Sequence, residues 1–246
     1  WMSADLVNIS VAQSSVVKGE SLYDTAHTIE ALGTDLVVVR HRCAGVPQAL
    51  AKLLGCSVIN AGDGAHEHPT QALLDLYTIR ERLGRIAGLK VLLVGDILHS
   101  RVARSQIYGL QKMGAEVTVL GPSTLLPKGI ESLGVKIGTS LDEELPRANV
   151  VSLLRIQKER QQSGLFPSLA EYAELFGICD RRLQLVRDDA LIIHPGPTNL
   201  GVEICSNAEE DKRSAIRTQV TNGVAVRMAA LYLLLGRGGL ESELNL

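Results

Sequence analysis

"KVLLVGDILHSRVARSQIYGLQKMGAEVTVLGP", residues 90–122, decides the fold. A run of Val and Leu ends at Gly95, a helical pattern runs from Arg101 to Gly114, and a second β-rich run, "EVTVLGP", follows. Unbroken aliphatic runs mark strands buried on both faces. A helix between two of them makes a parallel crossover. The same order could be a dinucleotide-binding unit, but that fingerprint needs G-x-G-x-x-G, so that backbone can approach a pyrophosphate. Here Gly95 is followed by Asp-Ile-Leu-His-Ser, and the second and third glycines are absent. The stretch therefore reads as a Rossmann-like unit without the cofactor. An NAD-dependent oxidoreductase stays as a remote alternative.

The alternation continues on both sides. Upstream, "DLVNISV" (5–11), "DLVVVRH" (35–41) and "SVINAG" (57–62) read as strands, with helices over 21–33 and 45–55. "PTQALLDLYTIRERLG" reads as a long helix with Leu73, Leu76, Ile79 and Leu83 on one stripe. Downstream, "VKIGTS" (135–140), "NVVSLLRI" (149–156) and "ALIIHPGP" (190–197) read as strands. The expected fold is α/β: two Rossmann-like parallel-sheet domains joined by the long helix, with "GRIAGLK" (84–90) as the boundary. "MAALYLLL" (228–235) is too short to span a bilayer and reads as a buried helix face.

Composition excludes several function classes. The chain has 246 residues, 46% hydrophobic, with a net charge of −2 and only 3% aromatic residues. It offers neither a basic field nor a stacking platform for nucleic acid. Cys43, Cys56, Cys179 and Cys205 form no CxxC and no disulfide framework, which reads as reduced and cytoplasmic. The N-terminus lacks the basic and apolar regions of a signal peptide.

In parallel sheets ligands sit beyond the carboxyl ends of the strands. The residues there are rich in cations and amides: Lys18, Arg40, His68, Gln71, Arg101, Arg155, Gln157 and His194. Convergent, they would hold a small, multiply anionic ligand, because the guanidinium fork pairs with carboxylate or phosphate. "HEHPTQ" (66–71) could suggest a metal, yet no HExxH or Cys/His cluster accompanies it. Pro69 suits the first turn of a helix, whose free N–H groups favour an anion. A His68 that only caps the helix is the alternative, and His66 and Glu67 are expected on the loop surface. "IIHPGPTN" fixes a turn whose carbonyls could meet a ligand's N–H groups, or one that is merely structural.

Together, "KGESLYDT", "VVRH", "INAGDG…HPTQALLDL", "GDILHSRVARS", "LRIQKER", "HPGP" and "QVTNGVAVRMAALYLLL" resemble the aspartate carbamoyltransferase catalytic chain, in its order and over nearly the whole sequence. The ornithine branch shares HP-x-Q but typically carries HCLP in place of HPGP, and lacks LRxQxER. The resemblance implies a carbamoyl phosphate domain over 1–85 plus 222–246, to which the C-terminal helix returns, and an aspartate domain over 86–221. It implies that Arg40, His68, Gln71, Gly196 and Pro197 bind carbamoyl phosphate, with a cis Gly196–Pro197 bond. Lys18, Arg101, Arg155 and Gln157 would bind L-aspartate, with Lys18 reaching a neighbour's site. Arg40, His68 and Lys18 would be catalytic, the first two stabilising the carbonyl oxygen and Lys18 the leaving phosphate. It implies a homotrimer with shared active sites, no metal or organic cofactor, and possible regulatory or other pyrimidine-pathway subunits.

Two departures stand out. The family's phosphate-binding STRTRTS-like segment lies upstream of the region matching Trp1 and does not occur in these residues. Leu200 replaces an arginine usual after HPGP. Two expectations follow: a truncated catalytic chain whose full-length parent is active, or a shortened non-catalytic homologue acting as an assembly partner. Without the segment, carbamoyl transfer by these residues alone is expected to be weak or absent, since each charge-assisted phosphate contact is worth ~1.5–3 kcal/mol.

Overall fold

A computed structural model describes residues 5–8, 22–156 and 168–236. Helix α1 (Leu22–Ala31) precedes strand β1 (Leu36–His41), α2 (Val46–Leu53), β2 (Ser57–Asp63) and the long α3 (Pro69–Leu83). Then come β3 (Lys90–Val94), α4 (Arg101–Lys112), β4 (Glu116–Leu120), β5 (Lys136–Ile137), α5 (Leu141–Glu144) and β6 (Val150–Leu153). The chain continues through α6 (Leu169–Phe176), α7 (Asp180–Leu183), β7 (Leu191–Ile193) and α8 (Ser206–Glu209) to α9 (Ile216–Leu235).

The result is a mixed α/β structure with parallel sheets. β1 and β2 form one parallel pair, and five parallel strands in the order β5-β4-β3-β6-β7 form the other sheet. The Val/Leu runs behave as their composition dictates: β6 and β7 are buried along their whole length, and β3 everywhere after Lys90. The strand expected over 5–11 is not found: residues 5–8 carry no regular element, and the rest lies outside the described residues.

Two helices tie the sheets together. α3 starts at Pro69, and its C-cap Gly84 takes φ 75°, the left-handed conformation that lets the chain leave the helix. α9 begins beside β7, where Ala215 N–H donates to Ile192 O, and ends beside β2, where Ser57 Oγ–H donates to Leu234 O at 3.2 Å. Against α3, Asn222 Nδ2 donates to Thr78 Oγ1 (3.1 Å) and Glu81 Oε2 (2.7 Å). The expected buried face at "MAALYLLL" is not observed, since Tyr232 through Leu235 are exposed. The buried face of α9 lies earlier, at Ile216, Gln219, Asn222 and Gly223, where α3 and β7 cover it.

Candidate active site

The strand order creates one special edge. From β3 the chain crosses to β4 on one side, while β6 pairs on β3's other side. Between β3 and β6 the direction of winding reverses, and a crevice opens at their carboxyl ends. Arg101 opens α4 after β3, Arg155 follows β6, and the 194–197 turn follows β7. The second sheet contributes the same kind of edge, with Arg40 near the end of β1 and His68 and Gln71 just past β2.

Arg101 bridges the two edges. A Cβ built on Gly62, near the end of β2, would lie 2.8 Å from the Arg101 guanidinium carbon. Gly62 has φ 113°, where L side chains are strained, so the backbone requires glycine, and a side chain there would also push the Arg101 head aside. The start of α4 is fixed by Ser100, whose Oγ accepts from Ala103 N at 3.1 Å. That places Arg101 in the first helical turn, with its head against the other sheet.

His68 is the N-cap residue of α3, and its N–H donates to Ser105 Oγ on α4 at 2.8 Å. Ser105 in turn donates to Glu67 Oε2 at 2.7 Å. His66 Nδ1 lies 3.0 Å from Asp63 Oδ2. His66 and Glu67 are therefore not plain loop surface: they brace the segment that carries His68. The bracing centres on buried Asp63, which accepts from Gly45 N (2.6 Å), Asn60 Nδ2 (3.0 Å) and Glu67 N (3.0 Å). Burial alone would raise the Asp63 pKa, but these donors and His66 outweigh it and hold the carboxyl below its ordinary value.

Burial, and after it the charges of Arg101, Arg40 and Arg227, hold the His68 imidazole down at about 4. At neutral pH it is an uncharged donor in the field of three cations, suited to a developing oxyanion. Three arginines from three elements thus act on one histidine. Arg227, on α9, is the member that sequence reasoning missed. Its only signal was its place in a helix returning to the first sheet. His194 is likewise held at about 4 by burial and then by Arg155. Its Nδ1 accepts from Gly196 N at 2.9 Å, which leaves the proton on Nε2.

The 194–197 turn contains a cis Gly196–Pro197 bond, and Gly196 takes φ 65°. Glu203, 1% exposed, couples this loop to the end of β6: it accepts from Ile156 N (2.7 Å), Asn199 N (2.7 Å) and Asn199 Nδ2 (2.6 Å). Lys18 and Gln157 lie outside the described residues. In the turn after β3, Asp96 Oδ1 accepts from His99 N at 3.0 Å and Ile97 is buried in the core, so the glycine-lined approach of a dinucleotide unit is absent there. Among the described residues no group of three or more His, Cys, Asp and Glu side chains could hold a metal ion. A groove of about 280 Å³ lies at the opposite end of the sheet, lined by Lys90, Glu116, Lys136 and Arg147. None of the strand-end residues reaches it.

The comparisons agree along the whole chain. Residues 1–81 match the family pattern of the aspartate/ornithine carbamoyltransferase carbamoyl-P binding domain, and residues 87–234 that of its Asp/Orn binding domain. An aspartate carbamoyltransferase catalytic subunit of Desulforamulus reducens is 61% identical over 236 residues, covering 96% of this chain and 76% of the relative. One from Heliobacterium modesticaldum is 58% identical, covering 97% and 77%. Among solved structures, an aspartate transcarbamoylase from Trypanosoma cruzi in complex with N-(phosphonacetyl)-L-aspartic acid aligns with a TM-score of 0.80 at 32% identity, over 92% of this chain and 74% of that one. The same enzyme with carbamoyl phosphate and aspartate gives 0.79 at 31%, over 92% and 73%.

Proposed function

The chain belongs to the aspartate/ornithine carbamoyltransferase family, and from that premise we infer that it transfers the carbamoyl group of carbamoyl phosphate to the amine of L-aspartate. The products are N-carbamoyl-L-aspartate and phosphate. The reading is supported by relatives named for this reaction and by aligned structures that hold both substrates. The observation that carries it at residue level is the gathering of Arg40, Arg101 and Arg155 at strand ends with His68 at the N-cap of α3, the Arg101 guanidinium lying against Gly62 of the other sheet.

The chemistry follows from those residue types. The aspartate amine attacks the carbamoyl carbon, negative charge grows on the carbonyl oxygen, and phosphate leaves with the bonding pair. Arg40 and His68 donate to that oxygen, and Gln71 with the carbonyls of the 194–197 turn accepts from the carbamoyl NH₂. Arg101 and Arg155, flanking the winding reversal, hold the two carboxylates of aspartate, with Gln157 assisting. Lys18 neutralises the leaving phosphate. Holding two anions in register supplies much of the rate, and no covalent enzyme intermediate is required.

The division of labour is carbamoyl phosphate on the 1–85 and 222–246 side and aspartate on the 86–221 side. Assembly is a cytoplasmic homotrimer with shared sites. Exposed Val38, Leu73, Val220 and Tyr232 support a further covering surface over the first sheet. No helix among the described residues is long and apolar enough to cross a membrane. The test is N-carbamoyl-L-aspartate formation by the full-length protein, with inhibition by N-(phosphonacetyl)-L-aspartate. A folded, assembled protein that makes no product contradicts the reading.

A further inference from the structure

Asp75 lies one turn beyond Gln71 on α3 and is 1% exposed, yet its hydrogen-bond partners are three glutamine amides. Oδ1 accepts from Gln71 Nε2 at 3.0 Å and from Gln219 Nε2, on α9, at 2.7 Å. Oδ2 accepts from Gln106 Nε2, on α4, at 2.7 Å. An ionised carboxylate can only accept, so it forces each amide to turn its NH₂ inward and its oxygen outward. Two of those oxygens have structural work. Gln219 Oε1 takes the His194 N–H at 2.9 Å, at the start of the cis turn, and Gln106 Oε1 takes the Ser152 hydroxyl at 3.1 Å. The third, on Gln71, belongs to the first turn of α3, beside His68.

We propose that Asp75 is a positioning residue for the carbamoyl group: its carboxylate sets the amide orientation of Gln71 and, through Gln219, anchors the 194–197 turn, so that both present oxygen acceptors to the carbamoyl NH₂. This rests on the carbamoyl-transfer reading and deepens it. A hub made of one carboxylate is a costly choice inside a protein. Burial pushes the Asp75 pKa up to about 6 despite its three donors and the charge of Arg227. A leucine would fill the same space without that cost, but it would leave three glutamine amides with no acceptor at position 75 and nothing to hold the NH₂ of Gln71 inward. If Gln71 flips, its NH₂ meets the carbamoyl NH₂, donor against donor. A site built to hydrogen-bond a group rejects mismatched partners strongly, because buried polar atoms are left unpaired. The phosphate half of the ligand has no NH₂ and does not sense the orientation of Gln71.

That asymmetry supplies the test. Calorimetric titration of the full-length protein would compare inorganic phosphate with phosphonoacetamide, which carries the same amide on a stable phosphonate. Asp75→Leu, which removes both acceptor oxygens, is expected to weaken phosphonoacetamide on the order of tenfold while phosphate affinity changes by less than about twofold. Equal weakening of both ligands, or no weakening of either, overturns the proposal. Gln219→Met leaves Asp75 with its Gln71 and Gln106 bonds and removes the Gln219 link between Asp75 and His194, so it serves even if the Leu variant does not fold. It is expected to weaken phosphonoacetamide selectively by roughly threefold, and an unchanged amide-to-phosphate ratio overturns the proposal as well. A wild-type protein that binds phosphate but not the amide would overturn the carbamoyl-transfer reading, and this proposal with it. A wild-type protein that binds both, with variants that shift both equally, overturns the positioning role alone.

Discussion

In the five-stranded sheet β6 and β7 are buried at every position, whereas β1 alternates half-buried and exposed positions and leaves Val38 56% exposed. The large sheet packs Leu93, Val119, Val150 and Leu154 into its core, while the small pair rests on Ala26, Leu50 and Leu54. Stability is thus concentrated in one region. The proposed site residues are not: His68 follows the small sheet, Arg155 follows the large one, and Arg101 reaches from one to the other. The difference means that a site built as proposed depends on how two unequal bodies are held together by α3 and α9, with Arg101 reaching across between them.

The largest effect tests that bridge. Arg101→Ala is expected to lower kcat/KM for aspartate by on the order of a thousandfold, because a buried anion would lose its cation. Thermal unfolding should change little. A loss below tenfold would place Arg101 outside the site. Next comes the difference in core strength. Leu93→Ala, in the centre of β3, should cost about 3–5 kcal/mol in chemical denaturation, and Leu54→Ala about 2 kcal/mol, since the thinner cluster collapses more easily. Equal costs would break the contrast between the sheets. Gly62→Ala should cost about 1–3 kcal/mol through its backbone conformation and also weaken aspartate by displacing the Arg101 head. A variant with normal aspartate KM would show that the contact does not set the arginine.

The smallest effect is electrostatic. His68 is held at about 4 in the folded protein, below the ordinary 6.5. The unfolded chain therefore takes up a proton first as pH falls, and stability is lost between pH 6.5 and 4. Asp75 works the other way: raised to about 6, it adds stability as pH falls from 6 toward 3.8, equally in wild type and in a His68 variant. Between pH 7 and pH 5, His68→Gln should lose less stability than wild type, by on the order of 1 kcal/mol. Identical losses would mean that His68 titrates normally despite its three arginines.

Much of this was legible in the residues. Unbroken Val/Leu/Ile runs announced β3, β6 and β7, which are covered on both faces, whereas the equally apolar run in β1 leaves Val38 exposed. The cations at the strand ends, Arg40, Arg101 and Arg155, were also legible, and the roles proposed for them await test. The covered face at 228–235 was misread, since local pattern states what a segment could bury and not what covers it. The Asp75 hub was invisible for a related reason. Gln106 and Gln219 look like ordinary solvent-facing helix residues, and they stand 31 and 144 positions from the carboxylate they share. Only the packing of α3, α4 and α9 brings them together.

The most direct test of the central claim is a crystal structure of the full-length protein with N-(phosphonacetyl)-L-aspartate. The account predicts the ligand at the carboxyl ends of both sheets, its carboxylates on Arg101 and Arg155, and its carbonyl oxygen beside Arg40 and His68. A ligand held by one sheet alone, or seated at the Lys90–Lys136 groove, would contradict it.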